Sequence, residues 1–350
     1  MKVRQCVSAC GLLLPVLLYL AAAARGEGTT VSRTPLDSSR LRADLSFVRG
    51  ESKGEGESGW PRTIRYTDKQ YDFRSDTFTE AEKTYELGKK PMRIIPHAAG
   101  VAEILWAICP RERIAAFNDV TADPKFSFIA EEVKRTGPVF RTTETERVLG
   151  YEPDLVFTVF YSTVEFKEKL KQARVPCFDL GYFGTMDSIQ YQALLIGRLI
   201  GEEGNAEALV RLIAERSREL RERLPKREKP PRVLYYDENG YIPGRTSNFS
   251  SICEIIGARN VGEEQGVKSW RQIDGETLLK WDPDLIVVPA ESGLKERLTT
   301  DRVLSHARAV REGRLYTLPG IYLRVDSQYM LLSANELAGI VYEEAFRMAP

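Results

Sequence analysis

The sequence predicts an α/β protein of two lobes, each built on parallel strands, with a long helical stretch between them. Three observations predict it. Short, almost wholly apolar segments alternate with helical patterns, as expected for parallel strands covered on both faces. One helix–proline–strand unit occurs twice, and a helical pattern from Asp187 to about Leu224 separates the two copies.

Taken in order, the chain opens with Lys2 and Arg4, then an apolar run from Gly11 to Leu20 broken by Pro15, then Ala21 to Ala24. This is the pattern of a signal peptide over residues 1–24, cleaved near Ala24. The run is short of the ~20 apolar residues of a membrane-spanning helix; a retained N-terminal anchor is the other reading. Cys6 and Cys10 precede the apolar run, whereas a lipid-carrying cysteine follows it. The expected location is the bacterial periplasm. Residues 25–60 are rich in Gly, Ser, Glu and Arg, a composition that reads as a disordered leader because it buries too little apolar surface to offset ordering.

The N-terminal lobe is expected over 61–186. Thr63 to Phe73 alternates weakly and reads as an edge hairpin. R-I-I-P-H from Arg93 is a strand, followed by a helix in which Val101, Ile104, Leu105 and Ile108 share a face. Arg113 to Phe117 reads as the next strand, Phe128 to Thr136 as a helix, P-D-L-V-F-T-V-F as a strand, and Val175 to Leu180 as the last one. Connecting helices are expected over 187–227, with a break near Gly201 to Gly204. The second of them has no interior Gly or Pro and at ~20 residues spans roughly 30 Å, enough to bridge two lobes. The C-terminal lobe, 228–350, carries strands at R-V-L-Y-Y-D, D-P-D-L-I-V-V and R-L-Y-T-L-P. Helices are expected at Ser247 to Gly257 and at Ser327 to Phe346.

Lys and Arg together number 50, as do Asp and Glu, so no net field recommends nucleic acid or a membrane surface as partner. Cys109, Cys177 and Cys253 match no metal or redox spacing. They read as small core residues, with a disulfide between two of them the other option.

The repeat aligns T-E-R-V-L-G-Y-E-P-D-L-V-F-T from Thr145 with G-E-T-L-L-K-W-D-P-D-L-I-V-V from Gly275. Glu146 matches Glu276, and Pro153-Asp154-Leu155 matches Pro283-Asp284-Leu285. In each copy an amphipathic helix is stopped by proline and a buried strand follows. A spacing of 130 residues between the copies points to a duplicated lobe, since solenoid periods are about 20–50 residues.

R-I-I-P-H-A-A-G-V-A-E-I-L, E-R-V-L-G-Y-E-P-D-L-V-F, G-R-T-S-N-F-S-S-I-C-E-I-I-G-A-R-N-V, E-T-L-L-K-W-D-P-D-L-I-V-V and V-R-E-G-R-L-Y-T-L-P follow one another between about Arg93 and Phe346. In that order they resemble the substrate-binding proteins of ABC importers for iron-siderophores, haem and cobalamin. The resemblance implies two Rossmann-like lobes joined by one long helix, with the ligand in the cleft between them. It implies a monomer that delivers a metal chelate (ferric siderophore, haem or corrinoid) to a permease and its ATPase at the inner membrane, with no intrinsic cofactor. It also implies that one glutamate per lobe, here Glu146 and Glu276, docks onto permease arginines. Exposed carboxylates suit that task; a negative charge in a helix's first turn also answers the helix dipole.

Ligands of such sheets sit beyond the carboxyl ends of the strands. That rule selects His97 and Gly100, Asn118 and Asp119, Tyr161 and Ser162, and Tyr182 and Phe183 in the first lobe. In the second it selects Tyr241 and Arg245, Glu291 and Ser292, and Tyr322 and Arg324. Aromatic rings offer flat contact area, and arginines suit carboxylates. The foremost ligand-binding candidates are His97, Asn118, Tyr161, Tyr182, Tyr241, Arg245, Tyr322 and Arg324. His97 could ligate a metal or be hydrogen-bonded in place, while His306 reads as surface. No phosphate-cradling glycine turn, no Ser/His/Asp set and no metal-hydrolase motif is visible, so no enzymatic activity is expected. A ligand-binding sensor is the main alternative, and a two-lobed transferase a more distant one.

Overall fold

The apolar segments build two main parallel sheets, one in each half of the chain. The computed structural model describes residues 34–50, 59–72, 75 and 77–347. The expected signal peptide lies outside the described residues. In chain order, α1 (Ser38–Ser46) precedes an antiparallel hairpin, β1 (Arg62–Asp72) and β2 (Thr77–Leu87). The first lobe follows as β3 (Ile94–Pro96), α2 (Ala99–Ile108), β4 (Phe117–Asn118), α3 (Ala130–Thr136), β5 (Val139–Phe140), α4 (Thr145–Gly150), β6 (Leu155–Thr158), α5 (Val164–Gln172) and β7 (Cys177–Asp179). Two helices, α6 (Met186–Ile200) and α7 (Glu203–Arg223), lead to the second lobe. It begins with β8 (Arg232–Tyr235), β9 (Tyr241–Pro243), α8 (Asn248–Ile255), β10 (Arg259–Asn260), β11 (Trp270–Gln272) and α9 (Gly275–Trp281). It ends with β12 (Leu285–Pro289), α10 (Leu294–Thr300), β13 (Leu315–Leu318), α11 (Gly320–Arg324), α12 (Met330–Val341) and α13 (Glu343–Arg347).

The sheets run β3-β6-β7 and β10-β8-β12-β13, parallel throughout. The repeat read from sequence is a repeat of structure. Ile94 faces Leu155 in the first sheet and Val233 faces Leu285 in the second. Glu152 and Asp282 both take left-handed backbone, with φ of 48° and 44°, and close the helix before the proline. Arg93 donates from Nε to the carbonyls of Tyr151 and Glu152, and Arg232 donates to those of Trp281 and Asp282, so each arginine covers the carbonyls left open at a helix end.

Side chains alternate across a strand, and here the alternation assigns each face its own core. Ile94, Leu155 and Phe157 point to one side, Ile95 and Val156 to the other; Val233, Leu285 and Val287 divide from Leu234, Ile286 and Val288 likewise. The outward residues form one small apolar cluster per lobe under the outer helices. The inward residues of both sheets belong to a single cluster, continued by Ile104 and Leu105 of α2, Ile189 and Ile196 of α6, Leu209 and Ile213 of α7, Phe249 of α8 and Leu331 of α12. The lobes therefore share one core.

The helical pattern breaks where expected: Gly201 takes φ 70°, and a Cβ there would stand 3.2 Å from the Lys90 side chain. The 21 residues of α7 extend about 32 Å at 1.5 Å per residue. The helix starts beside the first lobe, where Asn205 donates to the Ile108 carbonyl at 2.9 Å, and ends in the chain that enters β8.

Several expectations are corrected. Part of the leader expected to be disordered is the helix α1. Leu36, Leu41 and Leu45 are buried, and Asn335 brackets Leu36 by accepting from its amide at 2.9 Å and donating to its carbonyl at 3.0 Å. Bulk composition hid three leucines that fall on one face. The hairpin is longer than its weak alternation implied, because Thr77–Leu87 pairs with Arg62–Asp72 residue for residue. Arg113 to Phe117 is not a full strand; Arg111–Arg113 is a 3-10 turn, Ile114 bridges to Ile94, and only Phe117–Asn118 forms a ladder. The terminal helix divides in two at Tyr342. All three cysteines are free thiols, with Cys109 and Cys253 buried and Cys177 half-buried.

Candidate functional site

The carboxyl ends of the parallel strands in both lobes open onto a common cleft. From the first lobe, the segment after β7 crosses toward the second. The Tyr182 hydroxyl donates to the Thr246 carbonyl at 2.9 Å, and the Met186 amide donates to Ser251 Oγ at 3.1 Å. In front of this seam lies a cavity of about 250 Å³. Phe160, Tyr182, Phe183 and Gly184 line it from the first lobe. From the second come Tyr235 and Asp237 at the end of β8, Ser247 and Asn248 at the start of α8, Ser269 and Trp270 at β11, and Arg324 and Asp326 at the end of α11.

The walls are aromatic and braced. Tyr182 packs its ring 4.9 Å from Phe160, 5.2 Å from Tyr71 and 5.1 Å from Phe78, so the hairpin buttresses the cleft. Opposite, Trp270 stands edge-on to Tyr235 at 5.9 Å. Burial pushes the Tyr235 phenol up to about 12, so at neutral pH it is a protonated hydroxyl. Asn248 is fixed by donating to the carbonyls of Leu323 and Val325. Arg324 reaches Glu238 at 3.2 Å. Among the described residues no three His, Cys, Asp or Glu side chains come together to hold a metal ion.

Of the eight foremost ligand-binding candidates, Tyr182 and Arg324 line this cavity. Tyr161 is 56% exposed and packs edge-on to the lining residue Phe160; desolvation and then the Asp326 carboxylate raise its phenol. His97 and Asn118 lie in the wall behind. His97 Nδ1 is 3.1 Å from Ser162 Oγ, Nε2 is 3.2 Å from the Thr142 carbonyl, and its ring stacks on Phe166 at 3.9 Å. Burial lowers its pKa, and both ring nitrogens are engaged within the wall. Asn118 donates to the His97 carbonyl at 3.0 Å and accepts from the Thr121 amide at 2.8 Å, holding the loop that follows β4.

Tyr241, Arg245 and Tyr322 do not line the cavity. The rule that ligands sit past strand ends holds for parallel strands, but β9 pairs antiparallel with β11 in its own small sheet. Tyr241 is exposed there, and Arg245 instead borders a larger hollow of about 720 Å³ behind the cleft, between α6, α7 and α8. That hollow is the roomier one, but its walls come from helices and the short edge strand β10, with no residue of the first lobe's sheet or of β8, β12 and β13. Tyr322 packs on Phe128 at 5.2 Å in the seam between lobes.

Residues missed from sequence include Tyr235, Asp237, Trp270 and Asp326. Tyr235 ends β8 and Asp237 follows it, so the strand-end rule pointed to this place. Trp270, 39% exposed amid Ser, Lys, Arg and Gln, was visible as an isolated aromatic.

Glu146 and Glu276 occupy the first turns of α4 and α9. Each helix doubles back before its strand, which brings its start to the carboxyl end of the sheet. Thr142, just before α4, donates to Asp119 beyond β4, and the Ile273 amide, just before α9, donates to the Gly240 carbonyl beyond β8. Both glutamates thus stand at the end of the molecule where the cleft opens. Both are exposed, and Glu146 pairs with Lys169 at 3.2 Å.

Two α/β lobes with one shared core, one long connecting helix and an aromatic cleft between strand ends define a two-lobed ligand-binding protein. The sequence profile described as periplasmic binding protein matches residues 96–322, and the chain belongs to that family. No curated protein matches the chain. Among solved structures, a possible iron-binding (periplasmic solute-binding) protein from Staphylococcus epidermidis is similar at 21% identity, over 73% of this chain and 100% of that one, with a TM-score of 0.65. The periplasmic heme-binding protein RhuT from Roseiflexus sp. RS-1 aligns at 19% identity over 72% of this chain and 98% of its own, with a TM-score of 0.61. A periplasmic binding protein from Veillonella parvula aligns at 15% identity over 80% and 98%, with a TM-score of 0.67. No helix among the described residues is long and apolar enough to cross a membrane.

Proposed function

We propose that the protein is the extracytoplasmic solute-binding component of an ABC importer and captures a metal chelate, an iron complex or a corrinoid, in the interlobe cleft. The observation that carries this is the cavity itself, with Phe160, Tyr182 and Phe183 of one lobe facing Tyr235 and Trp270 of the other. Flat rings held rigid on both sides suit a large, rigid ligand, because ordering them costs little entropy. At about 250 Å³ the cavity is below the ~300–1,000 Å³ of enclosed small-molecule sites. A chelate of siderophore or corrinoid size fills it and extends past Phe160 toward the neighbouring ring of Tyr161, which is 56% exposed. On this reading the ligand brings its own metal. The family and the heme- and iron-binding neighbours support the same reading.

The test is a titration of the purified protein with ferric siderophores, haem and cobalamin, followed by calorimetry and absorbance. Saturable one-to-one binding of one class, weakened by Trp270→Ala, is expected. Absence of binding across the panel overturns the reading.

A further inference from the structure

We propose that Asp326 makes the cleft select a ligand presenting positive charge or a donor edge, so that a cationic chelate is preferred over a neutral or anionic one of the same core. The inference rests on the cleft being the ligand site. Three charged residues line the cavity; Arg324 is paired within the protein, and Asp237 is held in part by backbone amides. Arg324 is held by both oxygens of Glu238, at 3.2 and 3.4 Å. Asp237 spends Oδ1 on the amides of Asn239 and Tyr241, at 2.9 and 2.7 Å. No hydrogen bond or ion pair reaches the Asp326 carboxylate among the described residues, although it lines the same cavity.

Its position is fixed from the opposite lobe. A Cβ on Gly100 would lie 2.3 Å from the Asp326 carbonyl oxygen and 3.4 Å from Asp326 Cβ, so the start of α2 and this loop touch as only a glycine allows. The neighbouring ionisable groups do not neutralise it: Glu103 of α2 is another acid, and Tyr161 across the cleft is a phenol. Burial and then the Glu103 charge push the Asp326 carboxyl up to about 7. An unanswered carboxylate in such surroundings is costly, and a ligand ammonium or other donor placed against it recovers a charge-assisted hydrogen bond.

The experiment compares ferrioxamine B, whose free ammonium gives the ferric trihydroxamate a net positive charge, with its N-acetyl derivative, identical but neutral. Binding is followed at pH 8, where Asp326 is ionised, to the whole mature chain. The cationic complex is expected to bind about tenfold tighter or more, the scale of one charge-assisted hydrogen bond. In Asp326→Asn the two affinities should converge. Equal affinities in the unmodified protein, or a preference that survives in Asp326→Asn, overturn the proposal. A melting curve of the variant checks that it is folded, with Asp326→Ser as a second variant. Quenching of the Trp270 fluorescence component by caesium and by iodide reads the same charge without any chelate. A caesium bias lost in Asp326→Asn supports the proposal even if neither trihydroxamate binds, in which case only the chelate reading fails; no bias overturns it.

Discussion

Asp154 and Asp284 hold the same position in two different sheets. Each carboxylate accepts from the amide that leads into the first strand of its lobe, Asp154 from Arg93 at 2.8 Å and Asp284 from Arg232 at 2.9 Å. Each backbone amide donates back to that residue's carbonyl, at 2.9 Å in both cases. The Pro-Asp pair at each helix–strand junction is thus a clamp that fixes where the central strand starts against its neighbour.

From this follows a prediction about stability. Asp154→Ala and Asp284→Ala should each cost about 1–3 kcal/mol, the scale of a hydrogen bond to a charged acceptor and the amide left open. Because the sites lie in separate lobes, the costs should add in the double variant. Urea unfolding monitored by circular dichroism measures this; a double variant no worse than either single would deny the shared role.

Glu146 and Glu276 stand at the cleft-opening end of their lobes, and both are exposed. On the proposed importer role, charge reversal of both, Glu146→Lys with Glu276→Lys, is expected to abolish import while the affinity for ligand stays within about twofold, since neither lines the cavity. Uptake of labelled ligand in cells and calorimetry on the purified variant separate the two effects. Undiminished uptake would refute docking at these positions.

How much of this was legible in the sequence depended on the range of the interaction. The junctions around Pro153 and Pro283 were readable because helix, stop and strand are adjacent in the chain. The shared core was not, since it arises from the alternation of Ile94 with Ile95 and Val233 with Leu234 between two lobes far apart in sequence. The docking of α1 depends on Asn335, and that of the cleft wall on hairpin residues Tyr71 and Phe78. Tyr182 and Arg324 were found by the strand-end rule. Tyr241 and Arg245, chosen by the same rule, fall away from the cavity because nothing local marks β9 as lying outside the parallel sheet.

The shared core makes a prediction about motion. Opening the lobes would expose parts of one continuous cluster, at about 25 cal/mol per Å² of apolar surface. Tyr182–Thr246 and Ser327–Glu103 bonds span the seam as well. The radius of gyration from small-angle scattering should therefore agree, within error, with and without ligand. A clear compaction on ligand addition would show that the seam opens.

The last prediction concerns Glu103, an acid buried at that seam. Its Oε1 accepts from Ser127 Oγ at 3.0 Å and from the Phe128 amide at 2.6 Å, and its Oε2 accepts from Ser327 Oγ at 2.5 Å. No cation pairs with it directly among the described residues; Arg42 is spent on the Phe128 carbonyl and Glu132. Burial pushes its carboxyl up to about 7 despite those three donors. The folded protein therefore keeps a proton that the unfolded chain releases near pH 4.5. The stability this gives is full below that pH and is lost as pH rises through about 7. The change is on the order of 3 kcal/mol across the window. Glu103→Gln imitates the protonated acid at every pH, so it should match the parent protein near pH 4.5 and exceed it at pH 8. Denaturant midpoints at pH 4.5, 6, 7 and 8 measure the difference, and a gap between variant and parent that does not change with pH would rule out the buried proton.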